Sequence, residues 1–340
     1  VIIKIKFIFD VIKNHLRIKQ VWNYKIPVIL SYAFICIYLT RLTVARSVLM
    51  LLFYIIFMLG AASFAYLLND YFDRESDEKV GKTNIFRKID PEYFPIFVVI
   101  SLAFALTPWL YLPINRYTIL LLAFLFFLFT VYSIPSTRIK NKGFWGVIVD
   151  AMYAHAIWVL LTFYTFAVIN VSYHEIDKRF LIAFFCWQFV LGVRNITFHQ
   201  IADYDNDLSV NGSTWVVRAG LETATKFVKY IILPLEFILF LNALLAMSKY
   251  FIIIIPVTIF FWIFTFIKRK YISKISSGID YRQFAYTYLD EYYNQWFPTL
   301  ILINMVINHR PYFVLLFAFL FLFRNIISTV LYEIRVLYFK

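Results

Sequence analysis

Three aspartates and an asparagine recur at fixed intervals in Asn69-Asp70-Tyr71-Phe72-Asp73-Arg74-Glu75-Ser76-Asp77, directly after an apolar run that ends at Leu68. Asp70, Asp73 and Asp77 stand at i, i+3 and i+7, and Asn69 and Asp73 at i and i+4, so a continuing helix lines their oxygens along one face. Carboxylates about 6 Å apart repel by roughly 2 to 3 kcal/mol per pair at an effective dielectric near 20. The negative end of a helix adds to that cost, so the stretch demands a bound positive charge. Oxygen-only ligands favour a hard cation, and Mg²⁺ in particular takes one or two carboxylates together with substrate phosphates.

A second acidic cluster, His199-Gln200-Ile201-Ala202-Asp203-Tyr204-Asp205-Asn206-Asp207, closes another apolar run. Asp203 and Asp207 are i, i+4, while Asp205 faces elsewhere on a helix and is a reserve ligand only. Two such clusters, each ending a membrane helix, can grip opposite sides of one metal-bound diphosphate.

With N-D-x-x-D-x-x-x-D in the first cluster and D-x-x-x-D in the second, the sequence resembles the UbiA-type superfamily of intramembrane prenyltransferases. The resemblance implies Mg²⁺ held by Asn69, Asp73, Asp203 and Asp207, with Asp70 and Asp77 in support. It also implies a bound polyprenyl diphosphate and transfer of its prenyl group to an acceptor, most commonly an aromatic ring. The stretch Tyr132-Ser133-Ile134-Pro135-Ser136-Thr137-Arg138-Ile139-Lys140 is similar to the family's Y-S-x-P-P-x-R-x-K loop, with Ser136 in place of the second proline. Tyr132, Arg138 and Lys140 are thereby implied to bind the substrate, the two cations offsetting charge on the departing diphosphate. Lys82 stands where the family's R-T-x-x-R-P has its first Arg, and Phe86 and Arg87 depart from the rest of that pattern. A looser likeness covers Asn211-Gly212-Ser213-Thr214 through Gly220, where Gly and Thr suit a tight turn. The matched stretches span residues 69 to 220.

The elements that must position these residues are helices in a membrane. Hydrophobic residues make up 62% of the 340, and mean hydropathy is +0.74, outside the range of soluble domains. Apolar runs near 22–40, 47–68, 93–112, 116–133, 145–169, 180–199, 226–247, 249–267 and 312–332 are each close to the roughly 20 residues that cross a bilayer. A tenth run, 296–307, is short for a span. The expected fold class is therefore all-α: a polytopic membrane helix bundle of about nine transmembrane helices around a central cavity with a cytoplasmic cap. The chain, 1–340, reads as a single membrane domain, with 1–21 as an interfacial segment and 69–92 and 200–225 as cytoplasmic acidic cap loops. It opens on Val1 rather than methionine, as a trimmed or incomplete start would.

The formal net charge of +13 is scattered over short loops between spans, which points to membrane orientation and anionic headgroups rather than to nucleic acid. With the N-terminus inside, basic loop residues favour the cytoplasmic side by about three to one, and both acidic clusters fall on that side. An integral protein of the bacterial inner membrane, with its site facing the cytoplasm, is expected. Its partners are a prenyl diphosphate, a small-molecule or lipid acceptor, and membrane lipids. Cys36 and Cys186 lie far apart in apolar runs and indicate no disulfide framework.

Within the spans, Asp150, His155, Arg194 and His199 stand out, because ionisable groups there are costly. Either they pair, Asp150 with Arg194, or Asp150 or a histidine accepts the proton lost when an acceptor is alkylated. A cation transporter is the rival from another class, although transport favours acids near the bilayer midplane and these gather at helix ends. A lipid phosphoalcohol transferase would carry D-G-x-x-A-R, which is not found.

Overall fold

A computed structural model describes residues 18–87, 89–167, 178–251, 253–273, 288–324, 326–328 and 331. Most of the interfacial segment expected at 1–21 lies outside them. Every regular element among the described residues is helical, the one β contact being an isolated bridge between Gly143 and Thr214.

Among the described residues six helices, against the nine expected, are long and apolar enough to cross a membrane: Val44–Lys79 (α2), Pro91–Leu110 (α3), Arg116–Ser133 (α4), Phe144–Phe166 (α5), Arg179–Ala202 (α6) and Leu221–Met247 (α7). Three shorter apolar helices, Ile26–Leu39 (α1), Ile254–Thr265 (α8) and Arg310–Leu322 (α10), coincide with the remaining expected spans. The tenth run forms Phe297–Asn308 (α9), which continues without interruption from helical residues 288–296. At 1.5 Å per residue the 36 residues of α2 extend about 54 Å, well beyond a hydrocarbon core of about 30 Å. Asn69 to Asp77 occupy that excess, on helix rather than loop, and the connecting loop begins only at Val80.

Proline and glycine shape the bundle locally. The wide turn Val228–Ile232 immediately precedes Pro234 and the wide turn Tyr292–Trp296 precedes Pro298. Proline lacks the N–H and crowds the carbonyl four residues back, which a loosened turn relieves. A third wide turn, Met152–Ala156, has no proline and carries Tyr153 and His155. Where helices touch closely, small residues meet. A Cβ on Gly60 would fall 2.4 Å from the Ala105 nitrogen, and one on Gly192 would fall 2.8 Å from the Ala151 Cα. Lipid tails are as apolar as the side chains, so such close packing and ring contacts hold the bundle. The aromatic centre Trp187, Phe240, Tyr293 and Phe297, with ring centroids 4.7 to 5.8 Å apart, is the densest example.

Candidate functional site

The projecting end of α2 fixes the first cluster. Asp70 and Asp73 are buried and Asp77 is half-buried. After Lys79 the chain turns through Gly81, whose φ of 68° suits glycine. The Asn84 amide then donates to the Asp70 carbonyl at 2.7 Å and to Asp77 Oδ2 at 2.8 Å, pinning the loop back onto the helix. That loop carries Lys82, whose Nζ donates to Asp203 Oδ2 at 2.9 Å. Lys82 is also within electrostatic reach of Asp77 and Asp207.

The second basic element follows α4. Arg138, with a left-handed φ of 30°, donates from Nη2 to Asp73 Oδ1 at 2.9 Å, and Lys140 Nζ donates to Asp73 Oδ2. This loop is tied in turn to the residues beyond the second cluster. Gly143 N donates to the Ser213 carbonyl at 3.3 Å, and the Arg218 guanidinium donates to the carbonyls of Asn141 at 2.8 Å and Ser213 at 3.0 Å.

The second cluster sits where α6 breaks. Asp203 stands just before a short helix, Tyr204–Ser209, that carries Asp207. Thr214 Oγ1 donates to Asp207 Oδ2 at 3.2 Å, and His199 Nδ1 lies 3.4 Å from Asp203 Oδ2. Burial pushes the Asp207 carboxyl above the ordinary carboxylate range, against the opposing pull of Lys82 and Thr214. Asp205 is exposed.

The structure thus brings Asp73, Arg138 and Lys140 together, and joins Lys82 to Asp203. Asn69 stands one helical turn before Asp73. Tyr132 lies within electrostatic reach of Asp73, Asp150 and Asp207, with its ring 5.2 Å from that of Tyr153. Three cationic side chains of the protein itself sit on two of the aspartates, Arg138 and Lys140 on Asp73 and Lys82 on Asp203. Among the described residues no three acidic, His or Cys side chains form a closed metal cage. An all-oxygen donor set that leaves coordination to be completed by phosphate oxygens fits Mg²⁺.

One expectation fails. Asp150 does not pair with Arg194; it accepts a hydrogen bond from the Tyr153 hydroxyl at 2.5 Å. Arg194, fully buried, instead donates from Nε to Glu236 Oε2 at 2.7 Å and from Nη2 to Asp290 Oδ1 at 2.6 Å. These partners lie on α7 and on the helical stretch before α9, closer to the guanidinium than the neighbouring α5. Glu236, an ionisable group inside the apolar run 226–247, carries the same mark of cost as Arg194, whereas Asp290 lies outside every run and carries none. Asn84 escaped the sequence reading because it is uncharged and reaches the aspartates only once its loop folds back, and Thr214, read as a turn residue, proves also to hold Asp207.

No curated protein gives a significant match to the chain. Among solved structures it is similar to a UbiA homolog from Archaeoglobus fulgidus bound to DMAPP and Mg²⁺, with a TM-score of 0.60 and 17% sequence identity over 86% of this chain and 98% of that one. The structure of a UbiA homolog from the same organism bound to GPP and Mg²⁺ gives a TM-score of 0.57 and 18% identity over 88% and 97%. At such identities the likeness is one of fold. The sequence model of the UbiA prenyltransferase family matches residues 29–285, well over half of the 340, and the chain belongs to that family.

Proposed function

We propose that this membrane protein transfers a prenyl group from a polyprenyl diphosphate to an acceptor, an aromatic ring in the first instance, in a Mg²⁺-dependent reaction at the cytoplasmic face of a bacterial inner membrane. The observation that carries the reading is the ion pair by which Lys82, on the loop that follows the first aspartate cluster, reaches Asp203 of the second. The ligands bound by the Archaeoglobus fulgidus homologs, Mg²⁺ with DMAPP or GPP, are of the class this donor set suits.

Asn69, Asp73, Asp203 and Asp207 would hold the metal, with Asp70 and Asp77 in support. Bound Mg²⁺ supplies neutralisation of diphosphate charge. Arg138, Lys140 and Lys82, which pair with aspartates here, exchange those partners for phosphate oxygens and offset charge as the allylic C–O bond breaks with its electron pair leaving on the diphosphate. Tyr132 and Tyr153 present ring faces beside the cation-like allylic carbon. The acceptor's electron pair forms the new bond to that carbon. Asp150, oriented by the Tyr153 hydroxyl, takes the proton the acceptor loses. The apolar bundle holds the isoprenoid tail, each buried CH₂ contributing roughly 0.8 kcal/mol.

Binding of a non-hydrolysable geranyl diphosphate analogue to the purified protein tests the reading. Binding is expected to require Mg²⁺ and to weaken at least about tenfold in both Asp73→Asn and Asp207→Asn, each of which deletes one negative charge while keeping size. Equal binding in chelator, or dependence on one cluster alone, refutes the shared site.

A further inference from the structure

Both aspartate clusters end on the same local structure. α2 closes at Val80 and the short helix Tyr204–Ser209 at Val210, each with φ −101°, and each closing residue lies three positions past an aspartate, Asp77 or Asp207. The next residue is left-handed, Gly81 at φ 68° and Asn211 at φ 55°, the residue types that take this conformation at least cost. The following amide returns to the carbonyl of the aspartate, Lys82 N to Asp77 O at 2.9 Å and Gly212 N to Asp207 O at 2.7 Å. The left-handed residue itself bonds the next carbonyl, Gly81 N to Glu78 O and Asn211 N to Leu208 O, each at 3.1 Å. Such paired bonds close a helix end and aim the chain beyond it back along the last turn.

Each cap brings an uncharged side chain onto its own aspartate. Seven residues after Asp77, Asn84 Nδ2 donates to Oδ2 at 2.8 Å; seven residues after Asp207, Thr214 Oγ1 donates to Oδ2 at 3.2 Å. Asn84 is buried and is itself fixed, its Oδ1 accepting from Phe86 N at 3.0 Å. The aspartates one helical turn earlier are held by cations instead. Arg138 and Lys140 occupy the two oxygens of Asp73, while Lys82 and His199 face Asp203 Oδ2. Lys82 and Lys140 act on Asp77, and Lys82 and His199 on Asp207, only from a distance. Among the described residues neither Asp77 nor Asp207 forms an ion pair, and each carboxylate accepts through Oδ2 alone.

A carboxylate with cations on its oxygens is already neutralised and has to exchange partners before it can serve a metal. One held by an uncharged donor keeps its charge, and with one oxygen anchored the other is fixed in direction. Hard divalent cations take such oxygens, and carboxylates that ligate metals are themselves held by hydrogen bonds.

We propose that Asn84 and Thr214 are matched positioning residues, each anchoring the last aspartate of its cluster through Oδ2 and reserving Oδ1 for Mg²⁺. The assignment rests on the prenyl-transfer reading above and makes Asp77 the counterpart of Asp207.

Titration calorimetry of the purified full-length protein with the geranyl diphosphate analogue, at a series of Mg²⁺ concentrations, tests it. Melting curves in chelator show which variants fold. Thr214→Val and Asn84→Leu, which nearly keep shape and lose the donor, should each raise the Mg²⁺ needed for half-maximal binding by about tenfold or more. Thr214→Ser, which returns the hydroxyl, should bring that requirement back to the parent's. In an Asp207→Asn background Thr214→Val should add no further rise, because its effect runs through Asp207, whereas a merely structural residue adds its loss in either background. Asp77→Asn should raise the requirement as much as Asp207→Asn does, a comparison that holds whether or not Asn84→Leu folds. An unchanged requirement in folded Thr214→Val or Asn84→Leu overturns the assignment, as does a Thr214→Ser no better than Thr214→Val. So does a full added loss in the Asp207→Asn background, or a parental requirement in Asp77→Asn. A parent that binds no analogue at any Mg²⁺ concentration overturns the prenyl-transfer reading itself and the assignment with it.

Discussion

Lys82 Nζ lies 2.9 Å from Asp203 Oδ2, joining two residues 121 positions apart and, through them, the two aspartate clusters. Both side chains are partly exposed, so the pair itself contributes at most about 1 kcal/mol to stability. Lys82→Met is therefore expected to leave thermal unfolding nearly unchanged. Affinity for a geranyl diphosphate analogue, by contrast, should fall about tenfold, in line with loss of one charge-assisted hydrogen bond. Titration calorimetry alongside a melting curve separates the two; a large drop in melting temperature with intact affinity would make Lys82 a brace rather than a ligand.

Asp207 offers a test by pH. Its carboxyl is held above the usual carboxylate range by burial, so the folded protein prefers it protonated, and ionisation costs stability once pH exceeds the folded value. In chelator, Asp207→Asn should melt higher than the parent at neutral pH. The difference should shrink as pH falls through the raised pKa and Asp207 takes up its proton. Melting curves between pH 4 and about 8 that stay parallel would show that Asp207 is not under this strain.

The buried group Arg194, Glu236 and Asp290 joins α6, α7 and the helical stretch before α9. Arg194→Met strands two carboxylates and is expected to destabilise by about 3 to 5 kcal/mol, much of it recovered when Glu236 and Asp290 are also made apolar. Asp150→Asn, whose one hydrogen bond recorded is from Tyr153, should cost about 1 kcal/mol. Denaturant unfolding in detergent micelles measures all three; comparable losses from Asp150→Asn and Arg194→Met would contradict the pairing seen.

Single cysteines at Ser76, Asn141 and Ser209, in an otherwise cysteine-free protein, report which side the site faces. A membrane-impermeant maleimide is expected to label each in inside-out vesicles and none in intact cells. Labelling of any one from outside places its loop on the opposite face.

How much of this could be read from the chain depended on the range of each signal. The aspartates stood out because carboxylates at helical spacing carry their chemistry locally, and Arg138 and Lys140 through the likeness of their loop to the family's pattern. The continuation of helix through Asp77 followed from the same spacing, although the surrounding stretch was expected to belong to a cap loop. Asn84 carried no such signal, since an amide becomes a ligand-fixing group only when a turn returns it to its aspartate, and Thr214 was legible only as a turn residue. Arg194 was conspicuous, but its pairing was not. Opposite charges on neighbouring spans suggested Asp150, and only the packing of Leu221–Met247 against Arg179–Ala202 brings Glu236 within reach.

The overhang of Val44–Lys79 sets where a substrate can be worked on. Set upright across a hydrocarbon core of about 30 Å, its 36 residues would overhang by about 24 Å, which would carry its aspartates up into the headgroup zone. For the prenyl transfer proposed above, a lipid-tailed diphosphate would then be taken up where it already floats, its tail still in the leaflet and its head still wet. The cost of dragging a multiply charged group into hydrocarbon, or of pulling a long isoprenoid into water, never arises. A bilayer thick enough to swallow the rod would take that advantage away, so catalysis by this protein should fade as acyl chains lengthen.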